Sequence, residues 1–441
     1  MKYIMIAFVL VGLSAQLAQA QTIIRDTEIE NYLDEWFEPI FKANGMSPSQ
    51  VNVILVQSNE LNAFVAGGSN IFFYTGLIDK TETPEELIGV MAHELAHITG
   101  GHLVRGRKAM EQASYESILG TIIGLGAAVA SGDAGAAVGG SAAGNSVATR
   151  RFLSKTRTFE ASADQGAIKS MEAANINPTG LLTFMRKLEG EELLPQTQQS
   201  EYTRSHPLTR NRISALESRV NKSTKKNIAT PAAWTEQHAR MKAKLTGFIN
   251  PAQVSWTYDD RDTSTAAIYA RSIAAYRQDD ITNAIKGIDT ILSREPKNAY
   301  FHEIKAQMLV DFGRINEAVP IYQKARDLDP NSGLIRMALA QAQIQTQNVS
   351  KAQLNEAISN LKRAAQAEPR STRVHRLLAT AYGKLGQDSN ARLHLAEEAL
   401  LQGRRPYAKS QAEVALQGLP EGSTAALRAR DIIFFVNQNK K

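Results

Sequence analysis

The chain has 441 residues, 43% of them hydrophobic and 21% charged, which predicts two or three domains and excludes a disordered, collagen-like or polytopic membrane protein. It contains no cysteine, which excludes disulfide scaffolds, thiolate metal sites and cysteine nucleophiles. The formal net charge of +6 lies in residues 251–441, which carry 26 basic and 20 acidic side chains, while residues 21–250 carry 23 and 24.

Residues 1–20 have the pattern of a secretory signal peptide. Lys2 supplies the positive start, residues 4–13 are apolar, and Ala18-Gln19-Ala20 is a small-x-small cleavage site. The alternative is a membrane anchor, but the apolar run is short for a span. We therefore expect export with cleavage after about Ala20, and no nucleic-acid partner.

The next 80 residues predict a small mixed unit. Residues 26–45 place apolar and acidic side chains at helical spacing. Residues 51–56 and 70–77 are β-branched and aromatic runs that predict two strands. Pro84 opens a helix predicted over 85–103.

The segment 118–148 consists almost entirely of small and apolar residues. Its glycines and Asp133 leave too short an apolar run for a membrane helix, so a mobile lid or a partly buried hairpin over a cleft is favoured over a span. A helix is predicted over 157–172, and the polar residues 221–263 predict a connection between domains.

From residue 264 onward the sequence repeats. Pro330 follows Pro296 by 34 residues, and Pro369 follows 39 residues later, which implies about five inserted residues near 347–353. Each unit has the pattern helix, glycine turn, helix, and a 34-residue period of this kind indicates tetratricopeptide repeats. An irregular helical bundle is the alternative. Such repeats stack into an α-solenoid with a concave binding face.

Residues 93–97 form the motif His-Glu-Leu-Ala-His. On a helix His93 and His97 lie one turn apart on one face, so both imidazoles can bind one metal, and Glu94 can act as a general base. A solvated histidine pair is the alternative for the motif alone.

A second motif supplies what a hydrolytic metal site still needs. Glu160 and Asp164 lie four residues apart on the predicted helix, within Thr158–Ala167. Glu160 would be the third ligand, and Asp164 would orient a ligating imidazole through a hydrogen bond. Most isolated pairs of this kind are solvated, so the pairing of the two motifs carries the prediction.

The residues MAHELAHITGGH and FEASAD, preceded by NAFVAGGSNIFFYTGLI, resemble the HExxH…ExxxD zinc metalloproteases that include the heat-shock protease HtpX and the CAAX prenyl proteases. With its signal peptide and repeat tail, the chain is most similar to the periplasmic members of that family that act on outer-membrane β-barrel proteins in Gram-negative bacteria. The resemblance covers nearly the whole chain after residue 20.

The resemblance implies one Zn²⁺ per chain with His93, His97 and Glu160 as ligands, and Glu94 as the catalytic base. It also implies a catalytic role for Asp164, and for His206 either a further metal contact or stabilisation of an oxyanion; the residues alone would make His206 a surface histidine. His102 is expected to be structural or secondary. The strand around residues 62–66 resembles an edge strand beside the cleft, where an extended substrate could pair, although an internal strand is the alternative.

The predicted fold is mainly α with a small β-sheet: an α+β zincin-like protease domain followed by an α-solenoid of tetratricopeptide repeats. We expect a signal peptide at 1–20, a zinc metalloprotease domain at 21–250 and a repeat domain at 264–441. The resemblance implies a periplasmic endopeptidase that degrades misassembled outer-membrane proteins. Its expected partners are those proteins and the β-barrel assembly machinery, with peripheral proximity to a membrane. The alternatives are a chaperone or adaptor with a latent protease, and a metal-binding scaffold without hydrolysis.

Overall fold

A computed structural model of the chain describes residues 22–105 and 145–438. The predicted signal peptide and nearly all of the segment 118–148 lie outside the described residues. The fold class predicted from the sequence is confirmed: a helical unit with one small sheet is followed by helical repeats.

The sheet has four strands: β1 (Thr22–Ile24), β2 (Asn52–Gln57), β3 (Ala63–Ala66) and β4 (Asn70–Tyr74). Their order is β1-β2-β4-β3, with β2 and β4 parallel and the outer pairs antiparallel. The first helix, α1, spans Thr27–Ala43. The strand predicted over 70–77 is too long, because the short helix α2 (Thr75–Lys80) begins at Thr75. Among the described residues β3 is an edge strand of this sheet, as the resemblance implies.

Helix α1 covers the sheet with its apolar face. Asp26 caps its first turn by accepting a hydrogen bond from the Ile29 backbone N–H at 3.0 Å. The Phe37 ring packs 5.8 Å from the Phe73 ring of β4. Trp36 and Phe37 are fully buried, so this helix and the sheet form one side of the catalytic core.

Helix α3 (Pro84–Thr99) carries the first motif through the middle of that core. Pro84 occupies its first turn, as the sequence predicts, and the structure adds a cap from the Thr83 side chain. The predicted end at 103 is wrong, because the helix stops at Thr99 and Gly101 adopts a φ of 61°. A separate helical turn then begins at His102. This break is what allows His102 to fold back beside the motif.

Four further helices follow in the described residues before position 222: α4 (Asn145–Ala173), α5 (Thr179–Leu188), α6 (Glu201–Ser205) and α7 (Arg210–Asn221). Helices α4 and α5 pack directly against α3, and α7 packs against both of them. α4 approaches α3 closely at Gly166, where an added Cβ would lie 2.9 Å from the Ala96 methyl group. Glycine therefore permits the crossing that brings the second motif to the first.

The stretch 221–263, predicted as a polar connection, is largely helical. It contains α8 (Ala232–Ile249) and the short α9 (Val254–Thr257). The Lys244 ammonium of α8 is buried and lies 2.8 Å from Asp26 Oδ2 and 3.1 Å from Glu28 Oε2, while the Tyr269 hydroxyl donates to Glu28 at 2.9 Å. A polar network therefore joins the catalytic core to the first repeat helix. The domain boundaries stay a prediction.

The repeats form five consecutive helical hairpins in the described residues. The extra five residues inferred near 347–353 appear as a turn two residues longer and a second helix three residues longer than in the preceding hairpin. None of the described helices has both the length and the apolarity to cross a membrane. The ten repeat helices are α10 (Thr265–Arg277), α11 (Ile281–Arg294), α12 (Ala299–Asp311), α13 (Ile315–Leu328), α14 (Gly333–Gln345), α15 (Lys351–Ala367), α16 (Thr372–Lys384), α17 (Asp388–Leu401), α18 (Arg405–Leu416) and α19 (Thr424–Gln438).

Candidate active site

The two histidines of the first motif converge on one point. His93 and His97 lie one turn apart on α3, and their Nε2 atoms are 3.1 Å apart. Glu160 reaches the same point from α4, with Oε2 3.3 Å from His93 Nε2 and Oε1 3.5 Å from His97 Nε2. The crossing of α3 and α4 thus brings the two motifs together.

The donor atoms fit a divalent metal. One donor atom from each of His93, His97, Glu160 and His206 lies within 4.8 Å of the others. Zinc bonds of about 2.0–2.1 Å in a tetrahedral site place neighbouring ligand atoms about 3.3 Å apart, close to the separations among the first three donors. The Glu94 Oε1 atom is buried beside them and accepts no hydrogen bond from the described residues, which fits a site that holds a metal with a bound polar group.

Each histidine of the motif has a partner behind it. Asp164 Oδ1 lies 3.0 Å from His93 Nδ1, and His102 Nδ1 lies 3.0 Å from His97 Nδ1. The His102 ring stacks on Phe159 with 4.7 Å between ring centroids. Such contacts fix the orientation of each ring, so that its Nε2 atom faces the metal position. His102, which the sequence left as structural or secondary, lies directly behind His97.

His206 faces the same space from the end of α6. Its ring stacks on Tyr202 at 4.6 Å, and its backbone N–H donates to the Tyr202 carbonyl at 2.8 Å. Its Nε2 lies 3.4 Å from Glu94 Oε1. The residues alone indicated a surface histidine, but the ring is buried because helix α6 turns it toward α3.

Arg212 is the site residue that sequence reasoning missed. Its guanidinium donates to both Asp164 oxygens at 2.8 Å, lies 3.2 Å from Glu160 Oε2 and donates to the Pro207 carbonyl at 2.8 Å. Burial alone would raise the pKa of Asp164, but hydrogen bonds from Arg212 and His93 hold it below its usual range. The sequence spacing could have pointed to Arg212. It lies four residues before Leu216 and eight before Val220, on the buried face of α7, where an apolar residue is expected.

Burial controls the protonation of the site. It raises the pKa of the Glu94 carboxyl to about 8, an effect that His93 only partly opposes. Burial lowers the pKa of His97 to about 2 and that of His206 to about 4. Burial also lowers the pKa of His93, but the neighbouring carboxylates of Asp164 and Glu160 outweigh this effect and raise the pKa of His93 to about 9. The site therefore keeps His97 and His206 as neutral donors beside a carboxyl suited to proton exchange near neutral pH.

Comparison with known proteins agrees with this geometry. The sequence model of peptidase family M48 matches residues 27–220, and a tetratricopeptide repeat model matches residues 309–354. The chain is a metalloprotease with tetratricopeptide repeats. The resemblance predicted from the sequence is thereby confirmed, including its repeat tail.

Several curated relatives are similar to this metalloprotease over different shares of its length. The β-barrel assembly-enhancing protease of Escherichia coli K12 is 26% identical over 340 residues, which cover 75% of this chain and 68% of that protein. The relative of the same name from Yersinia pestis is 24% identical over 350 residues, covering 76% and 70%. Metalloprotease LoiP of E. coli is 28% identical over 178 residues, covering 40% and 66%. Among solved structures, MamA matches 38% of this chain and 98% of its own with 20% identity and a TM-score of 0.33.

Proposed function

We propose that this metalloprotease is a zinc-dependent endopeptidase that acts in the periplasm on misassembled outer-membrane β-barrel proteins. The observation that carries the proposal is the convergence of His93, His97 and Glu160 on one point beside the buried Glu94. Two imidazoles and one carboxylate form a ligand set typical of catalytic zinc, which keeps a further position open for the reaction.

A zinc ion held by these three side chains would supply Lewis-acid polarisation of the scissile carbonyl and activation of water. Glu94 takes the proton of the attacking water and returns it to the leaving amine, a task that suits a carboxyl whose pKa lies near neutrality. His206 Nε2 faces the same space, where it can contribute a fourth donor or donate a hydrogen bond to the developing oxyanion.

We expect substrates to bind along the edge strand β3, which would let the protease accept many sequences. In the described residues β3 pairs only with β4, so its outer edge offers backbone N–H and C=O groups to an extended chain. Backbone pairing gives affinity without strong dependence on side chains. Unfolded or stalled β-barrel segments have a matching strand-forming character.

The protein partners are assigned to the repeats. Tetratricopeptide arrays present extended concave surfaces for other proteins, and the names of the relatives point to β-barrel assembly. We propose that the repeats recruit outer-membrane precursors or their assembly machinery. The adaptor activity then coexists with proteolysis.

Glu94→Gln tests the catalytic proposal. Glutamine has nearly the same shape as glutamate but cannot act as a base. We therefore expect full zinc content by metal analysis, unchanged thermal unfolding and loss of cleavage of an unfolded β-barrel protein. Glu189→Gln, at an exposed position outside the site, is the matched control and should cleave normally. Chelation should abolish wild-type cleavage and zinc should restore it. Cleavage by the Glu94→Gln variant, or a purified chain without zinc, would contradict the proposal.

A further inference from the structure

The last helix, α19, presents an apolar outward face. Its buried side chains include Ala426, Ala429 and Ile432, which pack on the preceding helices. Leu427 and Phe434 are seven residues apart on the opposite side and are 50% and 63% exposed. Exposed apolar side chains on the outward side of a repeat helix form the kind of surface that a partner covers.

Exposed apolar side chains concentrate at this end of the chain. Among the described residues, half of the exposed large hydrophobic side chains fall within residues 401–435. They are Leu401, Tyr407, Val414, Leu427, Phe434 and Phe435. Because scattered single exposed residues are normal, the clustering is the informative feature.

The same end of the sequence is basic. Residues 401–441 contain seven Lys or Arg and three Asp or Glu, a net charge of +4 out of the +6 carried by residues 251–441. Arg430 is exposed and lies one turn from both Leu427 and Phe434. The Arg405 guanidinium lies 5.9 Å from the Phe435 ring centroid. Arg405 and Arg430 therefore flank the apolar stripe, and Asp431 is the one acidic residue of α19.

We propose that Leu427, Arg430, Phe434 and Phe435, with Arg405 beside them, form a terminal patch that docks reversibly on an anionic phospholipid bilayer. Aromatic and aliphatic side chains enter the interfacial region while guanidinium groups pair with lipid phosphates. A stable protein interface needs about 20–30 residues a side, many more than this patch provides, whereas each inserted side chain and each charge adds separately to bilayer binding. The docking is independent of peptide hydrolysis.

Vesicle co-sedimentation of the chain beginning at Gln21 tests the patch. Binding should be seen with vesicles of phosphatidylglycerol and phosphatidylethanolamine, weaken with added salt, and be minimal with phosphatidylcholine alone. Leu427→Ser combined with Phe434→Ser should weaken binding about tenfold or more. Arg430→Glu, an exposed change with little effect on folding, should weaken it at least about fivefold.

Trp256→Ser is the matched control. Trp256 is 91% exposed, but Asp259, Asp260 and Asp262 follow it, so the same loss of an exposed aromatic ring should leave vesicle binding unchanged. Equal binding by wild type and Arg430→Glu, or no preference for anionic vesicles, would overturn the proposal. A dimer in light scattering that the double variant loses would instead identify a second copy of the chain as the occupant.

Discussion

Replacing Arg212 with methionine should disrupt the site although every proposed metal ligand is kept. The guanidinium is 5% exposed and makes two 2.8 Å hydrogen bonds to Asp164, so its removal leaves a buried carboxylate without its cation. Breaking a buried ion pair in this way costs about 3–5 kcal/mol of folding free energy. Loss of a group that orients a ligand partner lowers metal affinity about 10- to 100-fold.

Arg219 provides the matched control. It lies on the same helix and pairs with Glu172 of α4 at 2.5 Å, but its side chain is 39% exposed. Arg219→Met should therefore cost no more than about 1 kcal/mol and leave zinc affinity unchanged. Arg212→Lys keeps the charge but loses the two-pronged contact, so an intermediate loss is expected.

Denaturant unfolding and competition with a zinc chelator measure the two effects separately. Combining Arg212→Met with Asp164→Asn should cost less free energy than the two single changes together, because neither then leaves a buried charge unpaired. If Arg212→Met behaved like Arg219→Met in both assays, Arg212 would have no role in organising the site.

Three further predictions follow from other buried polar contacts. His102→Ala should weaken zinc binding about tenfold in a chelator competition while cleavage is retained at saturating zinc, because only the support of His97 is lost. Burial holds the pKa of His238 at about 4 in the folded chain, whereas an unfolded histidine has a pKa of about 6.5. Between these two pH values the unfolded chain binds a proton that the folded chain does not, so the folded state loses stability as the pH falls from about 6.5 to 4. His238→Gln should therefore reduce the fall in Tm over this pH range. Lys244→Met should lower the free energy of unfolding by about 3–5 kcal/mol, since Asp26 and Glu28 lose their shared cation; a urea-unfolding midpoint equal to wild type would contradict this.

Local patterns in the sequence predicted much of the fold. The spacing of His93 and His97, and of Glu160 and Asp164, encodes two helix faces, because side chains four residues apart lie together on any helix. The repeat period was equally local, and even the five extra residues near 347–353 were placed from proline spacing alone. These features need no knowledge of what packs against them.

Features that depend on a distant partner were missed. Strand β1 has only three residues and exists because it pairs with β2 some 30 residues later. The stretch 221–263 looked like a linker because its composition is polar, yet α8 packs against α10 and is held to Asp26 and Glu28 by the ion pairs of Lys244. Tertiary packing decides such segments, and it overrides local propensity.

The same distinction separates a metal-binding motif from a competent site. Neither imidazole of the first motif is oriented by the motif itself: His93 is held by Asp164 from α4, and His97 by His102, which is placed by the chain reversal at Gly101. Asp164 is in turn fixed by Arg212 from α7. The donor atoms are therefore encoded locally, while their geometry is set by three other segments of the chain. Substitutions in those segments should change metal affinity and catalysis even where both motifs are intact.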